Sequence, residues 1–147
     1  MNAKARPALA PALLGDKSVS VEDLRRNRMM SHLVSSLEAG CNIGHYGRLV
    51  FTMVARHFLS EEELVSYLSR DPDCDETRAR ALCLQVEEHD YTPPTRERIL
   101  EWQSHQDFPI VPRPEDPDSG NVYKDLRFPD RIYEHINEYY EQKVESE

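Results

Sequence analysis

Apolar residues recur at helical spacing along most of this chain. A first helix is predicted from residue 20 to about 37, ending at Gly40, which readily takes the left-handed conformation after a helix. A second and more apolar helix is predicted from residue 42 to 59. Their apolar faces hold Met30, Leu33, Val34 and Leu37 in the first helix, and Ile43, Tyr46, Val50, Met53, Val54, His57 and Phe58 in the second.

Three further helices are predicted from the residues that begin them. Ser60, followed by three glutamates, has the pattern of a capping box and starts a short third helix. Asp73 or Asp75 is predicted to cap a fourth helix that continues through His89, and Thr95 to start a fifth that ends near residue 105. Proline-containing turns separate these helices, because proline disfavours helical geometry in the residue before it.

The two ends of the chain and one internal segment differ from this pattern. Residues 1–18 are rich in alanine and proline and are predicted to form a flexible tail. Residues 107–121 contain four prolines, too many for regular hydrogen-bonded structure, so we expect an extended strap there. A last helix is predicted over 130–143, with Asp130 as its cap. Its stripe is largely aromatic and holds Ile132, Tyr133, Ile136, Tyr139 and Tyr140.

Together these patterns predict a mainly α fold. Residues 19–147 are expected to form a single compact bundle of about six helices with the Pro-rich strap and little or no β structure. Only segments 108–111 and 122–128 suit an extended conformation, and there is neither βαβ alternation nor an internal repeat. The longest apolar run, at 49–55, is far shorter than the ~20 residues needed to cross a bilayer, so we expect no membrane partner.

The distribution of charge matters more than its sum. The 147 residues include 18 Lys and Arg against 27 Asp and Glu, a formal net charge of -9. Residues 1–59 hold eight basic and four acidic residues, a balance of +4, whereas the remainder holds ten basic and 23 acidic residues, a balance of -13. A uniformly acidic protein is poorly suited to a polyanion, but a basic first third can present a local phosphate-binding face.

The spacing of cysteine, histidine and carboxylate residues indicates neither a metal site nor a catalytic one. Cys41, Cys74 and Cys83 form neither an even set nor a CxxC pair, which argues against a disulfide framework and a zinc knuckle and favours a reducing cytoplasm. A mixed site with His45 or His89 is geometrically possible, but buried cysteine is the simpler interpretation. No P-loop, zinc-protease or nucleophile-elbow motif is present, so we expect no catalytic residue and no metal ligand.

The segment 42–48, Asn-Ile-Gly-His-Tyr-Gly-Arg, is the candidate binding site. Two glycines in the first turn of a core helix cost about 1 kcal/mol each relative to alanine, which indicates that they admit a close approach. His45 and Arg48 project on the same side of a helix N-terminus, where free backbone N–H groups favour a phosphate. Tyr46 and Arg56 are added because they lie close on the same helix. The alternative is that the glycines permit tight helix packing and that Arg48 pairs with a nearby acid.

The order of several short motifs resembles the C-terminal domain of the DNA primase large subunit. The sequence HYGR at 45–48, the apolar helix that follows it and SEEEL at 60–64 are similar to the H-x-G-R-type helix and the next short helix of that domain. The sequences QVEEH at 85–89 and DYTPP at 90–94 are similar to its later helix and YTP-type turn. The resemblance spans about residues 29 to 95.

This resemblance implies a mostly helical domain that helps start primer synthesis by binding the initiating nucleoside triphosphate and the template–primer end. It implies a phosphate-contacting role for His45 and Arg48. It also implies a 4Fe–4S cluster held by four cysteines, whose first two ligands would fall near Met29 and near Thr95 or Arg96. None of these residues is cysteine, and a cluster requires thiolate ligands, so we predict that this chain holds no iron–sulfur cluster and no other cofactor.

The resulting expectation is an accessory domain with no catalytic activity of its own. It would bind a nucleotide, or a DNA or RNA end, through His45 and Arg48 and support primer synthesis with a catalytic protein partner. The alternative is an acidic adaptor that binds no nucleic acid and docks a protein through the -13 portion and the aromatic last helix, since aromatic residues are favoured anchors at interfaces.

Overall fold

Helices supply the regular structure of this chain. The computed structural model describes residues 21–116, 119–129 and 132, and within these ranges it has seven helices and no strand. The prediction of a mainly α fold is therefore confirmed. The predicted tail at 1–18 lies outside the described residues, as does the predicted last helix except for Ile132. The helices are α1 (Val21–Leu24), α2 (Arg28–Glu38), α3 (Gly44–Ala55), α4 (Glu61–Leu68), α5 (Glu76–His89), α6 (Arg96–Gln103) and α7 (Val122–Asp125).

Side-chain caps begin three of these helices where the sequence predicts them. At the start of α4 the Ser60 hydroxyl accepts from the backbone N–H of Glu63, whose carboxylate accepts in turn from the N–H of Ser60. Asp75 and Thr95 cap α5 and α6 in the same way through their side-chain oxygens. Each such cap stabilises its helix by about 1 kcal/mol.

The prediction of one continuous first helix is wrong, because the chain breaks at Asn27. Helix α1 ends at Leu24, and α2 begins at Arg28. Asn27 is 1% exposed, its Oδ1 accepts from the N–H of Met30 at 3.0 Å, and its Nδ2 donates to Oδ2 of Asp125 at 3.1 Å. In this position the buried amide caps α2 and also forms a hydrogen bond with the carboxylate of Asp125. An Asn27 inside a continuous helix could not make both bonds.

Two other predicted boundaries differ from the structure. Helix α3 spans residues 44–55 and is shorter than the predicted 42–59 at both ends. Residues 122–128 were expected to suit an extended conformation, but α7 occupies the first part of this segment. The N–H of Leu126 closes its turn by donating to the carbonyl of Val122 at 3.0 Å.

Helix α3 is the centre of the core. It packs against α2, α4, α5 and α6. The apolar stripe predicted for α2 is fully buried, and so are the central residues of α3. The buried residues of these two helices include Met30, Leu33, Val34, Leu37, Val50, Phe51 and Val54, each 0% exposed.

The strap, residues 107–121, has no regular secondary structure in its described part, as predicted. Arg96, the first residue of α6, fastens it to the helices. Its Nε donates to the carbonyl of Ser119 at 2.8 Å, and its Nη2 donates to the carbonyls of Pro114 at 2.6 Å and Asp116 at 3.2 Å. One guanidinium therefore holds three points of an otherwise irregular segment.

Within the described ranges, no helix is both long enough and apolar enough to cross a membrane.

Candidate functional site

Arg48 belongs to a largely buried ion pair beneath the start of α3. Its Nη1 lies 2.9 Å from Oδ2 of Asp71, whose side chain is 0% exposed, and 3.2 Å from Oδ1 of Asn42. Asp71 also accepts from the N–H of Ile43 at 3.0 Å. The other end of the guanidinium, Nη2, lies 3.6 Å from Oδ2 of Asp73, whose side chain is 60% exposed. Arg48 therefore pairs with nearby acids, as the alternative interpretation expected, and its exposed partners are Asn42 at Nη1 and Asp73 at Nη2.

The first backbone N–H groups of α3 have protein partners. Gly44 donates to Oδ1 of Asn42 at 2.9 Å, and Tyr46 donates to Oε1 of Gln106 at 2.9 Å. The Nε2 of Gln106 donates to the carbonyl of Ile43 at 2.9 Å. Gly44 has a φ of +81°, and a Cβ at this position would collide with the amide of Gln106. The close approach that the glycine admits is thus made by a side chain of the same protein, and the expectation of free amides is wrong for these two groups.

Four rings gather above this capped N-terminus. The ring of Tyr46 stacks on Trp102 with centroids 5.7 Å apart and an interplanar angle of 17°. His45 meets the edge of Tyr46 at 5.2 Å, and His105 lies 6.4 Å from Tyr46 on the α6 side. His45 and His105 are exposed, whereas Tyr46 and Trp102 are half-buried. These four residues are called the aromatic patch below. At its edge the Cζ of Arg98 lies 5.9 Å from the centre of the Trp102 ring.

Arg56 lies at the opposite end of α3 from the aromatic patch. It follows Arg48 by eight residues, about 12 Å along a helix axis. Its Nη2 donates to Oδ1 of Asp90 at 2.6 Å and to the carbonyl of Tyr91 at 3.1 Å. These bonds join the end of α3 to the turn after α5. Of the four residues predicted for the site, three lie at the start of α3 and Arg56 lies at its end. His45 and Tyr46 are in ring contact, whereas Arg48 bonds to Asn42 and Asp71 instead.

The residues that α6 and the turn after it contribute to this surface are absent from the sequence-based prediction. The apolar spacing of the fifth predicted helix makes Trp102 one of its packing anchors, and neither His105 nor Arg98 was included in the predicted site. The i, i+4 spacing of Arg98 and Trp102 was a usable signal, because an arginine at that distance can lie over the indole ring. Their meeting with Tyr46 depends on the packing of α6 against α3, which no local pattern reveals.

The residues at the positions implied for cluster ligands have structural roles in packing, helix capping and hydrogen bonding. Met29 is 0% exposed within the core. Thr95 caps α6, and Arg96 holds the strap. None of the three supplies a thiolate, so the residues present do not fit a 4Fe–4S cluster at the places where the resemblance implies one.

The three cysteines do not replace those ligands. Cys41 is exposed, whereas Cys74 and Cys83 are buried. Burial raises the pKa of both buried thiols, that of Cys83 to about 11, and so disfavours the thiolate that binds metals. In the described part of the chain no three His, Cys, Asp or Glu residues come together in a group that could hold a metal ion.

Comparison with known proteins yields one partial relative. The chain is 33% identical over 75 residues to the DNA primase large subunit PriL of Thermoplasma acidophilum. The match covers 48% of this chain and 22% of that protein, so the chain spans about a fifth of its relative's length. Neither a protein-family model nor a solved structure matches the chain. The partial identity supports a primase-like relationship, in agreement with the resemblance carried by the motifs.

Proposed function

We propose that this chain is a helical accessory domain that binds a nucleoside triphosphate or a nucleic-acid end at the aromatic patch. The observation that carries the proposal is the stacked pair of Tyr46 and Trp102 beside the exposed His45. His45 and Tyr46 belong to the segment on which the primase resemblance rests, whereas Trp102 lies outside it. The partial identity to a DNA primase large subunit supports a role in primer synthesis.

The aromatic patch offers a surface on which a nucleobase can stack. Base–aromatic stacking contributes about 1–3 kcal/mol per base and does not depend on base identity. The guanidinium of Arg98, whose side chain is 62% exposed, adds positive charge at the edge of this surface. The imidazole of His45 can donate an N–H group to a phosphate oxygen. A stacked base with its phosphates directed toward these two side chains satisfies the chemistry of a nucleotide.

Arg48 would reach a phosphate through Nη2. The 2.9 Å bond to Asp71 is buried and stays in place, whereas the 3.6 Å contact of Nη2 with Asp73 is longer and involves an exposed carboxylate. A phosphate can therefore take the place of Asp73 without breaking the buried pair. Arg56 is too far along α3 to contact the same ligand.

A catalytic partner protein completes the proposed activity. The relative is named as a large subunit, and this sequence has no recognisable polymerase carboxylate constellation. We therefore assign binding to this chain and the chemistry of primer synthesis to another one.

Trp102 provides a direct test because it is the single tryptophan of the chain. A base that stacks at the aromatic patch should quench its fluorescence in a saturable way during titration with Mg-ATP or with a primer–template DNA. Fluorescence anisotropy of labelled DNA supplies an independent binding measurement. Absence of both saturable quenching and anisotropy change at low salt would refute the proposed function.

A matched pair of variants localises the binding. The double variant His45→Ala, Arg98→Ala should weaken binding about tenfold, which corresponds to ~1.4 kcal/mol. The control is His89→Ala, which removes another exposed histidine beside a tyrosine, here stacked on Tyr91 with ring centroids 5.1 Å apart. If the two variants bind the ligand with equal affinity, the ligand does not bind at the aromatic patch.

The role of Arg48 has its own test in Asp73→Asn. Removing this exposed charge frees Nη2 of Arg48 and lowers the local negative potential, so triphosphate binding should become tighter. Substitution at Asp75, a neighbouring acid that has no ion pair with Arg48, controls for the change in net charge. Asp75→Asn keeps a side-chain oxygen for the cap of α5. Identical effects of the two substitutions would leave Arg48 without a direct role.

A further inference from the structure

A basic groove runs between the outer face of α2 and the strap. It has a volume of about 450 Å³ and is lined by Arg25, Arg26 and Arg28, by His32 and two serines of α2, and by Pro112 of the strap. All three arginines belong to the basic first third of the chain. The groove is therefore a local concentration of positive charge on a protein whose net charge is -9.

Two of its three guanidiniums are available to a ligand. Arg25 is committed to Glu38, with Nη2 2.7 Å from Oε1. The side chain of Arg26 is 73% exposed, and the ion pair that it forms among the described residues is a 3.8 Å contact with Asp23. Arg28 is exposed, and no ion pair is found for it among the described residues. Arginines of this kind bind phosphate oxygens through paired N–H groups.

A series of direct contacts links the groove to the aromatic patch. At its strap side the ring of His32 stacks on Phe108 with centroids 5.2 Å apart, and its Nε2 lies 2.9 Å from the carbonyl of Pro109. The carbonyl of Phe108 accepts from Gln106 at 3.0 Å, and Gln106 in turn accepts from the N–H of Tyr46. A short run of direct contacts thus leads from the basic groove to the stacked rings.

We propose that the α2–strap groove binds the sugar–phosphate backbone of a single nucleic-acid strand whose bases reach the aromatic patch. The proposal rests on the proposed function and assigns the strand a path. Arg26 and Arg28 contact successive phosphates, and the His32–Phe108 pair lies between them and the patch. A positive groove interleaved with aromatic rings is the arrangement that holds single strands without sequence preference. A free triphosphate is assigned to the aromatic patch alone.

The test compares two double charge reversals in the full-length protein. Arg26→Glu, Arg28→Glu alters the groove. Arg78→Glu, Arg127→Glu is the control, since both of these arginines are exposed, neither lines the groove, and the two variants have the same net charge. The probe is a labelled DNA single strand of about 16 nucleotides, the upper end of known site sizes. Affinity is measured by anisotropy over a range of salt concentrations, and Mg-ATP binding is followed through Trp102.

The groove variant should bind the strand at least about tenfold more weakly than the control. The slope of log affinity against log salt should become shallower by roughly 1.4, from ~0.7 for each of two lost phosphate contacts. Its Mg-ATP binding should be unchanged. The pair Arg26→Gln, Arg28→Gln gives the same comparison without added negative charge, should the reversal disturb folding.

Each remaining outcome contradicts a specific step. Equal strand affinity of the groove variant and the control overturns the groove and leaves the proposed function intact. An equal loss of Mg-ATP binding in the groove variant overturns the strand assignment and makes the groove the nucleotide site. Failure of the unaltered protein to bind either probe overturns both the groove and the proposed function.

Discussion

Replacing Arg96 with alanine should loosen the strap and destabilise the whole domain. The side chain donates three hydrogen bonds, to the carbonyls of Ser119, Pro114 and Asp116 at 2.8, 2.6 and 3.2 Å. A hydrogen bond to a charged group contributes about 1.5–3 kcal/mol. Because two of these bonds share Nη2 and one is solvent-exposed, we expect a combined loss of about 2–4 kcal/mol rather than the full sum.

That loss is large against the ~5–15 kcal/mol by which a domain of this kind is stable. Arg96 also stands near a position where the primase resemblance implies a cluster cysteine. In this chain the guanidinium of Arg96 joins the start of α6 to the strap. Arg96→Lys should be intermediate, because an ammonium group is a point charge and lacks the planar fork that reaches three carbonyls.

Urea denaturation followed by far-ultraviolet circular dichroism measures the effect. The matched control is Arg98→Ala on the same helix, whose side chain is 62% exposed and whose nearest carboxylate, Glu101, is 3.9 Å away. It should cost less than about 1 kcal/mol. Hydrogen exchange should also quicken at Ser119, whose N–H donates to the carbonyl of Asp116 at 3.0 Å. If Arg96→Ala and Arg98→Ala unfold at the same urea concentration, Arg96 does not hold the strap.

Three further predictions concern buried groups. Asp71→Ala leaves the guanidinium of Arg48 without its buried partner and should lower the free energy of unfolding, measured by urea denaturation, by about 3–5 kcal/mol. Asp71→Leu should be no more stable than Asp71→Ala, because leucine also leaves the guanidinium unpaired. Asn27→Ala removes the cap of α2 and should cost about 1–2 kcal/mol, and a loss well below this range would mean that the cap does not fix the break. Burial raises the pKa of Cys83 to about 11 from an ordinary 9.0, so the thiol ionises at lower pH in the unfolded chain than in the folded one. The free energy of unfolding should therefore be undiminished below pH 9 and should fall as the pH rises toward 11. In the folded protein a thiol reagent should modify Cys41 and spare Cys83, and rapid labelling of both would contradict this burial.

Much of the helical structure is predictable because its determinants are local. Ser60, Asp75 and Thr95 each satisfy backbone N–H groups two or three residues ahead, so the signal and its effect lie in the same short window. The apolar stripes of α2 and α3 are equally local, since helical periodicity alone decides which residues share a face.

The break at Asn27 is different, because the residue that completes its environment is far away in sequence. Without Asp125, an asparagine between arginines gives no reason to end a helix, and the apolar pattern runs on through it. The same carboxylate belongs to α7, in a segment that was expected to suit an extended conformation. Both errors involve the same hydrogen bond, which joins residues 98 positions apart and which local propensity does not encode.

The candidate site was predicted in part, and for a reason that needs revision. The glycines of segment 42–48 indicated a close approach, and at Gly44 that approach exists, but it is made by Gln106. Arg48 was predicted to contact phosphate, and its strongest bond is to Asp71. In both cases a residue from another part of the chain occupies a position that the sequence, read locally, leaves open for a ligand. The phosphate-binding roles of His45, Tyr46, Arg48 and Arg56 stay predictions.

The strap connects the stability of this domain with both proposed binding surfaces. At its beginning, Gln106 just before it and Phe108 within it lie between the N-terminus of α3 and the ring of His32. Further along, Pro112 forms one wall of the basic groove. Beyond that wall, Arg96 fixes the backbone at three carbonyls without lining the groove itself. A segment rich in proline cannot hold its shape through a regular hydrogen-bond ladder, so the geometry of the groove depends on these side-chain contacts. Arg96 and Gln106 therefore help to set the geometry of the groove although neither of them lines it.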